Sequence, residues 1–94
     1  MNKIELSFKK DIKGLAGNDY GYEIYCKQVA NKIKWDDINT IIFPKYIERI
    51  AISFIQGFCR DILKKIDKND IEKTIKIESS SEYLTQKILD NIKF

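Results

Sequence analysis

Ser53 is the residue with the most immediate chemistry. It stands between the apolar run Thr40–Phe43, closed by Pro44, and a helical periodicity that continues to Ile66. A serine opening a helix accepts a hydrogen bond from a free backbone N–H, a cap that contributes about 1 kcal/mol. The same hydroxyl can accept a phosphoryl group, whose charge the helix dipole favours. Histidine is absent. That removes the commonest general base, the usual zinc ligand and every Ser-His or Cys-His nucleophile arrangement. The glycine-rich stretch Gly14–Gly21 lacks the Gly-Lys-Ser/Thr ending of a phosphate loop, and no strong strand leads directly into it. Its residues Gly17, Asn18, Asp19, Tyr20 and Gly21 form an alternative ligand loop at the start of a predicted helix. Asp36-Asp37 reads as a solvated turn, with no further ligands at metal spacing. Cys26 and Cys59 also lack metal spacing. Each falls on the apolar side of a predicted helix, so both read as buried small hydrophobes. No catalytic residue, metal or cofactor is expected, and the chain does not read as an enzyme.

The elements that must position these residues follow from periodicity. Lys3–Phe8 alternates, with Ile4, Leu6 and Phe8 on one side, and predicts a half-buried strand that pairs antiparallel at an edge. Lys9–Gly21 predicts a loop with a short second strand near Asp11–Leu15, and Gly17-Asn18-Asp19 is turn chemistry. Tyr22, Tyr25, Cys26, Val29, Ala30 and Ile33 predict the buried face of a helix over Tyr22–Lys34, leaving Tyr20 and Tyr46 as surface aromatics. Thr40–Phe43 has the unbroken apolar character of a central strand covered on both sides, and Pro44 ends it because proline cannot donate to a ladder. Ser53–Ile66 predicts a second helix, capped by Ser53. Gly57 lies inside it at a cost of about 1 kcal/mol relative to alanine, which implies close packing against a strand or helix. Ile71–Glu78 alternates as a third main strand. Ser79 and Glu82 form a capping box for a third helix, Tyr83–Ile92. The order β-loop-α-β-α-β-α specifies a small α/β fold with a mixed, mostly parallel sheet and three helices.

The composition fits that reading. Ninety-four residues, 44% hydrophobic and 12% aromatic, support one core, so residues 1–94 form a single domain. The chain opens on Met1, the expectation for a complete small protein. Seventeen basic and 14 acidic residues are interleaved rather than clustered, so nucleic acid is not the expected partner. No apolar segment follows Met1, and charges interrupt every apolar run before 18 residues. The expectations are a cytoplasmic location and no membrane partner.

From Ile41-Ile42-Phe43-Pro44 through Ile47-Glu48-Arg49-Ile50-Ala51-Ile52-Ser53-Phe54-Ile55-Gln56-Gly57-Phe58, the sequence resembles the STAS-like domain family. These are small bacterial relatives of the anti-sigma factor antagonists. The pattern is an apolar strand, a short turn with an isoleucine, then a Ser-Phe pair opening an amphipathic helix. The resemblance extends more weakly over roughly Gly21–Ile92. It implies a STAS-like fold and a non-enzymatic regulatory, protein-interaction role. True antagonists carry an Asp-Ser-Ser-Gly-like stretch at this junction, and a kinase that is also the anti-sigma factor phosphorylates the serine before the glycine. Ser53 aligns with that serine, while Ala51 replaces the aspartate and Phe54 the glycine.

Three readings follow. The first is a regulatory module whose protein partner is an ATPase-type kinase or anti-sigma factor, held by Tyr46, Glu48, Arg49, Phe54 and Gly57, with Ser53 as helix cap and phosphoacceptor. The second is a small-ligand or nucleotide-binding domain using the loop at 14–21. The third is an oligomerising accessory protein of a phage or defence locus, for which a homodimer is the simplest form.

Overall fold

The computed structural model describes residues 1–93. Its centre is β3 (Asn39–Ile42), flanked by β1 (Asn2–Glu5) and β5 (Ile75–Glu78) in the order β1-β3-β5. Both pairings are parallel, and Ile4, Ile41 and Ile77 stand in register across the sheet. The first strand is thus an edge, as its pattern implies, but it is parallel and not antiparallel. A second, two-stranded ladder follows further along the sequence. Here β2 (Gly14–Leu15) pairs in parallel with β4 (Arg49–Ile50).

Each short strand leads into a helix, α1 (Asn18–Ile24) after β2 and α2 (Ile52–Phe58) after β4. Gly17 makes the first of these turns at φ 101, a backbone region that glycine enters without a side-chain penalty. A wide π-type turn, Tyr25–Val29, extends α1. The helix starts four residues earlier than its stripe predicts, and Gly21, Ile24, Tyr25 and Val29 face inward. That rotation turns Cys26 into solvent, so Cys26 is not the buried residue its spacing suggests.

The predicted single helix Ser53–Ile66 is two helices, α2 and α3 (Ile62–Lys65). Side chains fix the corner between them. The Arg60 guanidinium donates to Asn18 Oδ1 and lies over the Tyr22 ring, 4.4 Å from its centre. The Tyr22 hydroxyl donates to Asp61 Oδ2 at 2.9 Å, a bond that pushes the phenol up to about 12. Residues Lys68–Lys73 form a 3₁₀ turn capped by Asp67, so Ile71 is buried from that turn and β5 begins only at Ile75. In the last helix, α4 (Glu82–Lys93), the capping hydroxyl is Ser81, which accepts from Leu84 N at 3.1 Å. Ser79 instead bonds the Ser81 carbonyl and the Thr85 hydroxyl, so the cap lies two residues beyond the predicted box.

The core gathers Ile4, Ile41 and Ile77 from the sheet with Val29, Phe54, Phe58 and Ile88 from the helices. No helix among the described residues is long and apolar enough to cross a membrane.

Candidate functional site

The β4–α2 junction is built by the second ladder. The N–H groups of Glu48 and Arg49 both donate to the Lys13 carbonyl, at 2.7 and 3.1 Å, and Ala51 N donates to the Leu15 carbonyl at 2.8 Å. Residue 51 is therefore still strand-like, and its carbonyl accepts from Phe54 N and Ile55 N as the helix begins. This makes Ala51 the residue that opens α2, with no side-chain cap. Ser53 is not the N-cap. It lies inside the first turn, and its hydroxyl accepts from Gly17 N at 3.0 Å, tying α2 to the entrance of α1.

The predicted contact residues separate into two groups. Glu48 and Arg49 are exposed, and Arg49 lies along Gly14. Phe54 and Gly57 are interior. Phe54 is 0% exposed, stacked on Phe58 and edge-on to Tyr20. Gly57 presses against the Asn18 backbone. Neither is available to a partner, because the stripe they belong to is the one that closes the core. Tyr46 is half-buried; its hydroxyl donates to Phe8 O and accepts from Phe8 N, holding the chain beyond β1.

The alternative ligand loop is also committed internally. The Gly17 N–H goes to Ser53, the Gly21 N–H goes to the Gly17 carbonyl, and Asn18 holds Arg60. Tyr20 is half-buried between Phe8 and Phe54, and burial raises its phenol above the usual range. Of Gly17–Gly21, Asp19 alone is exposed. Of the aspartate pair, Asp36 is exposed. Asp37 accepts from Ile38 N and faces the Met1 ammonium at 3.5 Å, and that backbone bond leads the lowering of its carboxyl. No cluster of three potential metal ligands occurs among the described residues.

A groove of about 470 Å³ opens beside the junction, between β2, β4 and α4. Ala16, Arg49, Ala51, Tyr83 and Lys87 line it. Tyr83 is 80% exposed, and Ile52, next to Ala51, is 49% exposed. Tyr83 falls outside the predicted stripe Leu84, Ile88, Leu89 and Ile92, a signal of its exposure, whereas nothing in the periodicity marked Ile52.

The two cysteines differ sharply. Cys59 is 1% exposed, and burial pushes its thiol up to about 12. A thiol reagent at neutral pH therefore labels Cys26 in the folded protein and Cys59 only in denaturant, because the thiolate is the nucleophile. Rapid native labelling that survives Cys26→Ala would contradict this burial. Between the ordinary value of 9.0 and about 12, only the unfolded chain ionises at Cys59, so this thiol lowers stability as pH rises through that window.

Compared with known proteins, the chain matches no family model, no curated protein and no solved structure.

Proposed function

We propose that the chain is a non-enzymatic regulatory module that binds a protein partner through the surface at the start of α2. The observation that carries this reading is Tyr83, 80% exposed on the wall of the groove, with a second large apolar residue, Ile52, 49% exposed and following the lining residue Ala51 in the chain. Apolar groups gathered around a groove favour a contact surface more than the same groups scattered singly. An exposed tyrosine next to an arginine is also the composition of interface anchors. Arg49 and Glu48 supply charges that orient an approaching partner. The STAS-like resemblance of Ile41–Phe58 adds the partner class, an ATPase-type kinase or anti-sigma factor, and with it a bacterial cytoplasmic setting. A phosphate on Ser53 would compete with the Gly17 contact and add charge next to Ile52. The small-ligand reading has less support, since the Gly17 and Gly21 N–H groups are already bonded within the chain.

The test pairs the protein with purified ATPase-type serine kinases of the anti-sigma class, by calorimetry and by transfer of label from ATP. Binding is expected in the wild type and at least about tenfold weaker in Ile52→Asp and Tyr83→Asp, the loss for an interface anchor of about 1.4 kcal/mol or more. Label is expected on Ser53 and absent in Ser53→Ala. That variant loses one hydrogen bond, about 1 kcal/mol, and keeps its fold. Absence of binding to every such kinase, or binding unchanged in both aspartate variants, overturns the reading.

A further inference from the structure

The three-stranded sheet has two faces of opposite character. Ile4, Ile41 and Ile77 point into the core, and the intervening residues of each strand point the other way. Across that second face, Lys3, Thr40 and Lys76 form one row in register, and Glu5, Ile42 and Glu78 form the next. All four charged residues are exposed. None of them takes part in an ion pair among the described residues. Between the charges Thr40 is 3% exposed and Ile42 half-buried, so the four charged side chains make up most of the accessible surface. Parallel sheets are almost always covered on both faces; here the helix residues Phe54, Phe58 and Ile88 share the core with the isoleucine side, while the exposed Lys3, Glu5, Lys76 and Glu78 occupy the other.

Of the two face-to-face two-folds aligned with the sheet, one makes the pattern self-complementary. Turn a second copy about a two-fold axis lying in the interface, perpendicular to the strands. Lysine row then faces glutamate row: Lys3 over Glu5, Lys76 over Glu78, and both again by symmetry. The two rows lie two residues apart, about 7 Å along the strand, and sheets stack at about 10 Å, a gap that long lysine and glutamate side chains span. The other face-to-face two-fold, with its axis along the strands, sets Lys3 over Lys76 and Glu5 over Glu78, which repels. We propose that this face docks a second copy of the chain, with strands antiparallel across the interface, as an isologous dimer. The proposal shares no residue with the partner surface at Ile52 and Tyr83 and stands apart from that reading.

The exposed residues of three short strands cover far less than the roughly 800 Å² per partner of stable complexes. The dimer is therefore weak and held mainly by charge. Sedimentation velocity on the full chain, from about 20 µM to about 1 mM, spans the range in which such a small interface assembles. A dimer is expected in low salt. Its dissociation constant rises at least tenfold in about 1 M salt, where the screening length is about 3 Å. The double variant Lys3→Glu, Lys76→Glu is monomeric, and so is Glu5→Lys, Glu78→Lys. An equimolar mixture of the two recovers the dimer, because an all-glutamate face then meets an all-lysine face. A wild type that is monomeric throughout, a dimer indifferent to salt, or folded charge variants that either self-associate or fail to pair on mixing overturns the proposal.

Discussion

Gly57→Ala lowers stability by about 3 kcal/mol or more, the upper range for forcing atoms into a packed site. The sign is opposite to the local expectation. In an isolated helix the same change gains about 1 kcal/mol. Here an added methyl group lands on the Asn18 carbonyl, which is backbone and cannot rotate away. Gly21→Ala meets the same obstacle from the other side, because its methyl group lands on the Phe54 carbonyl and crowds Phe58 N. The two glycines are the points where α1 and α2 cross backbone to backbone. For a domain of this length each kcal/mol is worth about 4–8 °C of melting temperature, so each variant should melt at least about 12 °C lower. The other two glycines are built-in controls. At Gly14 a methyl group meets the Arg49 side chain at 3.6 Å, an ordinary contact, so Gly14→Ala is near neutral. Gly17→Ala falls between, since only its positive φ opposes it. The double variant Gly21→Ala, Gly57→Ala should cost less than the sum of its parts, because one separation of the helices relieves both clashes. Thermal unfolding followed by circular dichroism checks the series. Equal melting temperatures for Gly14→Ala and Gly57→Ala would show that the helices do not cross at these residues.

Gly57 also shows how far the sequence could be read. A glycine in a helical stripe announces a close approach, because its local cost needs a compensating contact. What approaches it is Asn18, 39 positions earlier and outside the predicted helix, and no periodicity links the two. The three main strands were legible for a related reason. The alternation at Ile4 and Leu6 and at Ile75 and Ile77, with the unbroken Ile41–Phe43 between, reflects burial that each strand expresses locally. Ser53 was read in the right turn and the wrong role. Serine preference at helix starts is real, but the β2–β4 ladder runs to Ala51, so the helix opens where the ladder stops. Cys26 failed because the helix turns Gly21, Ile24, Tyr25 and Val29 inward, and the wide π-type turn Tyr25–Val29 breaks the 3.6-residue period on which its assignment rested. In each case the local signal was sound, and a tertiary contact moved its consequence by a few residues.

The proposed contact surface was only half legible for the same reason. Glu48 and Arg49 are polar, and their exposure follows from composition. Phe54 and Gly57 belong to a stripe that reads equally as core or as interface until the partner helix is placed. Ile52 and Tyr83 look like core residues by type and are left outside because the inward positions beside them are already filled by Phe54, Ile55 and Leu84.

Asn39→Leu should be the other severe substitution, with a loss of about 3 kcal/mol, since each stranded buried group costs about 1–3 kcal/mol. Asn39 opens β3 and is 0% exposed. Its Oδ1 accepts from Lys34 N and Asn2 Nδ2, both at 2.8 Å. Its Nδ2 donates to the carbonyls of Lys34 at 2.7 Å, Asp37 at 3.0 Å and Thr74 at 3.3 Å. One amide thus closes the 34–39 turn and links it to β1 and to the residue before β5. Leucine keeps the branching at Cγ, makes none of these bonds and leaves their partners unpaired. Asn39→Asp separates shape from hydrogen bonding. The carboxylate keeps the two accepted bonds and turns a charge toward three carbonyl oxygens, which raises the introduced group's folded pKa above its unfolded value near 4. A raised pKa means stability present below the unfolded value and lost as pH rises through the folded one. The deficit of Asn39→Asp relative to wild type should therefore be larger at about pH 7 than at about pH 4, whereas that of Asn39→Leu should hardly change. Denaturant unfolding at both pH values reads this directly. A pH-independent deficit in Asn39→Asp would mean that the side chain does not face those carbonyls, and the turn would then need another explanation for its closure.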